Sequence, residues 1–272
     1  MNVLYNLLEL VVSEYDARST EHHIASVMLE NIYQLAHVSI GELARMCNVS
    51  KSTMSKFVRD MGFDDYKDFR LEAGRLYVKE KYGHEDTNIN ITDFIISKGD
   101  SAYLDVLKQD LDLFFQSIDR EKIEKLAVMI HDYPRVAAFG DGYSECFSRN
   151  LQYKMTFYRK TIYTTRSSRK QVDYIETAGE DTLIIVFSNR DGYMRCYQGQ
   201  DGRPEKECFK HTKGKIFLIT SNEDMVNDPL VDECILYEHT TIVQNHLVIY
   251  QMIIELLAVV YQEKYGFPEE II

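Results

Sequence analysis

Four basic side chains, Arg45, Lys51, Lys56 and Arg59, stand in a stretch that holds no aspartate or glutamate before Asp60. Serine and threonine at Ser50, Ser52, Thr53 and Ser55 are interleaved with them. Cations and hydroxyls on one short helix are groups that meet the phosphates and base edges of DNA, where a carboxylate would repel the backbone. In a helix-turn-helix the second helix lies in the major groove, with residues near its N-terminus at the bases. Here Val49, Met54, Phe57 and Val58 would face the core with Leu43 and Ala44. That turns Lys51, Ser52, Ser55, Lys56 and Arg59 outward. A solvated face of an ordinary helical bundle would carry the same charges, so charge alone leaves both readings open.

The elements needed to position such a helix are written around it. Ser39 and Glu42 have the spacing of a capping box, Asn48 suits a turn, and Ser50 is placed to cap a second helix. Upstream, Leu4, Leu7, Leu8, Val11 and Val12, then Ile24, Met28, Leu29 and Ile32, recur at helical spacing. Residues 1–82 therefore read as an all-helical domain. The polar segment from Gly83 opens a linker over 83–100. Helical patterns follow over 103–118 and 119–133, the second capped by Asp119. Then short apolar runs take over: RVAAFG, TIYTT, DTLIIVFS, KIFLIT and ECILYE, mostly separated by segments of helical length. Such alternation predicts a mostly parallel sheet covered by helices over 101–272, with ligands at the carboxyl ends of the strands.

Composition limits the alternatives. The chain has 272 residues and a net charge of −12, so it is not a polyanion binder throughout. Charge is local: residues 1–82 hold 10 Lys+Arg against 12 Asp+Glu, while the remainder is strongly acidic. The 5 cysteines show no C-x-x-C spacing, which reads as reduced thiols and not a disulfide frame or zinc site. The opening residues lack a basic n-region, and no apolar run reaches about 18 residues, the length a spanning helix needs. The expectation is a soluble, cytoplasmic protein with no membrane partner. LVIYQMIIELLAVVY, interrupted by Gln251 and Glu255, reads as a buried or interface helix.

The stretch LARMCNVSKSTMSKFVRDMGFDDYKDFR, residues 43–70, closely resembles the N-terminal domain of RpiR/MurR-type bacterial transcription regulators. Leu43, Ala44, Val49, Ser50, Thr53, Ser55, Phe57, Gly62, Phe63, Tyr66 and Phe69 match that family's pattern. Lys56 stands where the family often has arginine, keeping the charge but losing the bidentate fork. The resemblance implies that Lys51, Ser52, Thr53, Ser55, Lys56 and Arg59 contact double-stranded operator DNA. It also implies a C-terminal SIS-like domain, a doubly wound module that binds phosphosugars, and hence an α + α/β fold class.

Two loops bear on that implied ligand. FGDGYS places Gly140, Gly142 and Ser144 after a strand, where a glycine turn opening a helix can present amides to an anion. Tight strand–helix packing would also require glycine there. The family's phosphate loop resembles S-N-S-G-N-Y, and this chain has SNRDGY. Ser188, Asn189 and Tyr193 match, but Arg190 replaces a serine and Asp191 the glycine. Arg190 could pair with a phosphate, or with Asp191 across an empty site. RSSRK, residues 166–170, is a third candidate border and equally an ordinary surface charge run.

The resulting expectation is a transcription regulator controlled by a phosphosugar at Gly142, Ser144, Ser188, Asn189 and Arg190, acting as a homodimer or higher homo-oligomer. Two alternatives stay open: an SIS-like domain that is only a dimerisation scaffold, and a sugar-phosphate isomerase. For the latter, His239, Gln244, Asn245 and His246 are the nearest candidates for a base. No Ser–His–Asp order, metal spacing or Walker loop is present, so no catalytic residue, metal or cofactor is expected.

Overall fold

The computed structural model describes residues 3–82, 90–189, 192–195, 207–240 and 242–266. The chain separates into two compact units, one containing the helices up to Tyr82 and one the described residues from Asn90 onward.

The first unit is all helical: α1 (Val3–Glu14), α2 (Thr20–Glu30), α3 (Ile40–Met46), α4 (Lys51–Asp60) and α5 (Tyr66–Tyr82), with a 3-10 turn at Ile32–Gln34. Its core is made by Leu4, Leu8, Met28, Leu43, Phe57 and Phe69 with their neighbours. These positions recur at helical spacing, so each short helix buries one stripe and leaves its other side in water. Phe63 meets Phe69 edge-on at 5.5 Å, and the Tyr66 hydroxyl donates to the Val38 carbonyl at 3.1 Å, tying the start of α5 to the residue before the α3 cap.

The second unit begins with α6 (Ile91–Lys98), inside the segment read as linker. Asn90 caps this helix by accepting from Thr92 N at 2.8 Å, and Phe94 is buried. The earlier part of that segment, 83–89, lies outside the described residues. Next come α7 (Asp100–Ser117) and α8 (Arg120–Asp132), the latter capped by Asp119 as expected. Four strands follow: β1 (Arg135–Gly140), β2 (Thr182–Phe187), β3 (Lys215–Thr220) and β4 (Glu233–Leu236). They form one parallel sheet in the order β1-β2-β3-β4. Between and after them lie α9 (Tyr143–Thr156), α10 (Ser168–Thr177), α11 (Gly192–Arg195), α12 (Cys208–His211) and α13 (His246–Tyr265).

Alternation along the strands builds two cores. Val136, Ala138, Leu183, Ile185 and Phe217 face one side, against α8, α9 and α13. Ala137, Phe139, Ile184, Val186 and Leu218 face the other, against Ile175 of α10, Met194 and Phe209. The sheet is thus doubly wound, and β2 is buried along its whole length, as a central strand covered on both faces must be.

TIYTT does not become a strand. Only Tyr163 pairs, through a parallel bridge to Ala137 with hydrogen bonds of 2.9 and 2.8 Å to Ala138 N and Val136 O. Tyr163 occupies the edge of β1 opposite β2, so the segment finds a partner on one side only. The bridge nevertheless fixes the topology. From β1 the chain passes through α9 to one side and then through α10 to the other. That reversal makes a switch point at the carboxyl end of β1, where open α/β sheets place their ligands.

Candidate nucleic-acid interface and ligand crevice

The capping box at α3 is complete. Ser39 Oγ accepts from Glu42 N at 3.3 Å, and Glu42 Oε2 accepts from Ser39 N at 2.7 Å. These bonds hold the Glu42 carboxyl below its ordinary range, with Arg45 adding a smaller pull. After Cys47 the chain turns through Asn48, whose φ of 51° lies in the left-handed region. Val49 N then donates back to Ala44 O at 2.9 Å. Asparagine tolerates this backbone where a β-branched residue does not. Asn48→Gly should leave the melting temperature near wild type, whereas Asn48→Val should cost about 1–2 kcal/mol in chemical denaturation. Equal stability of the two variants would contradict the turn.

Ser50 caps α4, accepting from Thr53 N at 3.1 Å, and its Oγ also lies 2.7 Å from Ser52 Oγ and 2.8 Å from Thr53 Oγ1. Met54, Phe57 and Val58 are buried, as the apolar spacing predicts. Lys51, Ser52, Lys56 and Arg59 are exposed, while Thr53 and Ser55 are half-buried. All six expected contact residues therefore lie on one helix, but Ser52 and Thr53 already share the cap oxygen. Arg45, exposed on α3 with its Nε 3.3 Å from Gly41 O, is a further cation in this domain. The Lys51 side chain lies over Gly41, where an added Cβ would come within 2.7 Å of its Cε. Cys47 behind the turn is buried, its thiol pushed up to about 11 by desolvation.

At the switch point, Gly140 is required by packing. A Cβ there would fall 2.7 Å from the Ser144 carbonyl carbon and 2.8 Å from its oxygen. Gly142 has φ 57° and opens α9. The amides of Ser144 and Glu145 close this turn by donating to Asp141 O and Gly142 O at 3.0 and 3.2 Å. Ser144 is buried at the head of the helix. Glu145, half-buried beside it, has its carboxyl raised by burial against the opposing pull of Arg166, whose Nε is 3.4 Å away. Ser167, next in the RSSRK run, is the N-cap of α10.

Beyond β2, Ser188 extends the ladder by donating its N–H to Ile219 O at 3.1 Å. Asn189 is held from two strands at once. Ser221 Oγ lies 2.7 Å from its backbone oxygen and 2.9 Å from its Oδ1, and Tyr237 OH donates to Oδ1 at 2.6 Å. His239 Nε2 completes the row at 3.3 Å from Ser221 Oγ. On the other side, Tyr193 OH donates to Gln171 Oε1 at 2.6 Å, and Gln171 Nε2 reaches Thr165 O at 2.7 Å and Gly140 O at 3.4 Å. Burial drives both phenols, Tyr193 and Tyr237, well above their ordinary range, so they remain neutral donors.

Gly142, Ser144, Ser188 and Asn189 thus share the carboxyl end of the sheet, while Arg190 and Asp191 lie outside the described residues. Ser221, Tyr237 and Gln171 were not anticipated. Ser221 had a signal in the sequence, since it follows β3 as Ser188 follows β2. Among the described residues no group of His, Cys, Asp or Glu is arranged to hold a metal ion, and no helix is long and apolar enough to cross a membrane.

Two capped helices joined through a left-handed asparagine, the second with a cationic face, form a helix-turn-helix motif. Residues 5–77 match the model of the helix-turn-helix domain of the rpiR family, and the chain carries an N-terminal domain of that family. Similar proteins include a helix-turn-helix-type transcriptional regulator from the aarA 3′ region of Providencia stuartii, 24% identical over 191 residues, or 69% of this chain. The regulator HexR of Pseudomonas aeruginosa is 22% identical over 196 residues, or 68%. The match spans 66% and 65% of those two proteins, just under two thirds of their length. Among solved structures, Vibrio vulnificus NanR complexed with ManNAc-6P covers 97% of this chain and 92% of its own, with a TM-score of 0.49 and 16% identity. The sugar isomerase domain of an RpiR transcription factor from Sphaerobacter thermophilus covers 61% and 92%, with a TM-score of 0.44 and 14% identity.

Proposed function

We propose that the protein is a transcription regulator that binds operator DNA through α4 and responds to a phosphosugar at the carboxyl edge of its parallel sheet. The observation that carries the first half is the exposed, acid-free run Lys51, Ser52, Lys56 and Arg59 on the second helix of an rpiR-family domain. For the second half, the support is the grouping of Gly142, Ser144, Ser188 and Asn189 at the topological switch point; to Arg190, on its residue type alone, we assign the pairing with the phosphate. Residues 1–82 serve DNA, and the second unit, whose first described helix is α6, serves sensing and self-association. A homodimer suits this role because two heads read two half-sites at fixed spacing. Tyr143 and Tyr153, exposed on α9, and Phe157 at its C-cap offer aromatic surface for the second copy. A monomer mass on sedimentation at micromolar concentration would count against that assembly.

The ligand is tested by thermal shift with hexose, pentose and amino-sugar phosphates, each beside its unphosphorylated parent. A ligand that binds only the folded state raises the melting temperature by mass action, so one phosphosugar should shift it and its parent should not. A second reading has its own support. Asn189 already gives its oxygens to Ser221 and Tyr237, which suits a scaffold whose crevice has closed on itself. A panel without any shift would favour that reading. Catalytic conversion of a phosphosugar would instead mark an isomerase.

A further inference from the structure

Asp110 on α7 is fully buried. A carboxylate taken out of water persists only where hydrogen bonds replace the solvent it has lost. Its two oxygens hold two points on the connection between β4 and α13. Oδ1 accepts from Thr240 N at 2.6 Å, and Oδ2 accepts from Asn245 Nδ2 at 2.7 Å. Two residues before Thr240, a second tie joins the same elements: Ser117 Oγ, at the end of α7, accepts from Glu238 N at 3.2 Å.

The segment after β4 therefore has two sides. The amides of Glu238 and Thr240 are fixed to α7. The side chains of Tyr237 and His239, which alternate with them, reach Asn189 and Ser221 in the crevice. Nothing in the DNA-binding or phosphate-loop reading calls for this arrangement. α7 is also the first long helix after the connection to the N-terminal domain.

We propose that Asp110 is a positioning residue of the crevice, and that it couples His239 to α7. Displacing the segment on its crevice side loosens α7, and cutting the tie at α7 displaces His239. The positioning role stands on geometry alone. Its use in passing ligand occupancy toward the DNA-binding domain rests on the regulator reading above.

The test uses the full-length protein without ligand, so its outcome is separate from that of the phosphosugar panel. Asp110→Ala, Asp110→Asn, Ser117→Ala and His239→Gln are compared with wild type. The readouts are the His239 ring resonances and the amide hydrogen exchange of α7. Asp110→Ala should move the His239 resonances and speed exchange in α7 roughly tenfold, as expected when a local tie is lost. His239→Gln should speed the same α7 amides, because coupling between two sites is reciprocal. Asp110→Asn should stay near wild type: the Asn245 Oδ1, buried without a hydrogen-bond partner, can turn to accept from the new amide. Should Asp110→Ala fail to fold, Ser117→Ala carries the same expected direction in milder form. Unmoved His239 resonances in a folded Asp110→Ala or Ser117→Ala protein would overturn the proposal, as would wild-type α7 exchange in His239→Gln.

Discussion

Arg59→Ala is expected to weaken duplex DNA binding roughly tenfold at about 0.1 M salt and to flatten the salt dependence by about one unit of log–log slope. Arg59 is exposed in the last turn of α4, two turns beyond Lys51 and clear of the buried Met54–Phe57–Val58 side. A cation on this face neutralises phosphate and releases counterions, so its removal should register in the slope and not only in the affinity. The two contact types separate by sequence. If Arg59 meets a phosphate, the loss is uniform across duplexes. If it meets a guanine edge, the loss falls mainly on the preferred site. Fluorescence anisotropy titrations across a salt series measure both. An unchanged slope would remove Arg59 from the interface, and with it the assignment of α4 as the reading helix.

Gly140→Val should destabilise the protein by about 1–3 kcal/mol and abolish any response to a phosphosugar. The Cβ of any residue at 140 meets backbone atoms of Ser144 and Glu145 at 2.7 to 3.0 Å. No side chain can rotate away to relieve that contact, so α9 must withdraw from β1. Withdrawal would carry Gly142 and Ser144 out of line with Ser188 and Asn189. Gly74 provides the contrast. It lies within α5 with no heavy atom within 4 Å of an added Cβ, so Gly74→Ala should gain about 1 kcal/mol through helix propensity. Chemical denaturation of both variants checks the pair. A Gly140→Val protein as stable as wild type would mean that the strand–helix junction is looser than described.

Much of the N-terminal helical unit was legible because its signals are local. Ser39 with Glu42, Asn48, Ser50 and the spacing of Met54, Phe57 and Val58 are each decided within a few residues, and each is found in its expected role. The four strands were legible for a similar reason, being short apolar runs with buried central residues. TIYTT failed because strand character needs a partner along its length, and only Tyr163 has one. The helix Ile91–Lys98 was hidden in a polar surround, although Asn90 before Ile91 was a usable cap signal.

The crevice was less legible than the fold. Asn189 was identified by its loop, but its oxygens are taken by Ser221 and Tyr237, 32 and 48 residues further on. No neighbouring residue marks Asp110, because only the folded chain brings it to Thr240 and Asn245, 130 and 135 residues away. Spacing within one segment reveals caps and faces. Partners contributed by separate strands and helices emerge only when the sheet is assembled.

A phosphosugar held in the crevice should change how tightly the protein binds DNA. Full-length protein would be used to enrich a preferred duplex from a random-sequence pool, and its affinity then measured with each phosphosugar and each parent sugar. One phosphosugar should change that affinity at least about fivefold, the lower range of allosteric coupling, with no effect of its parent. Failure to enrich any duplex, or an affinity indifferent to every phosphosugar, would contradict the account.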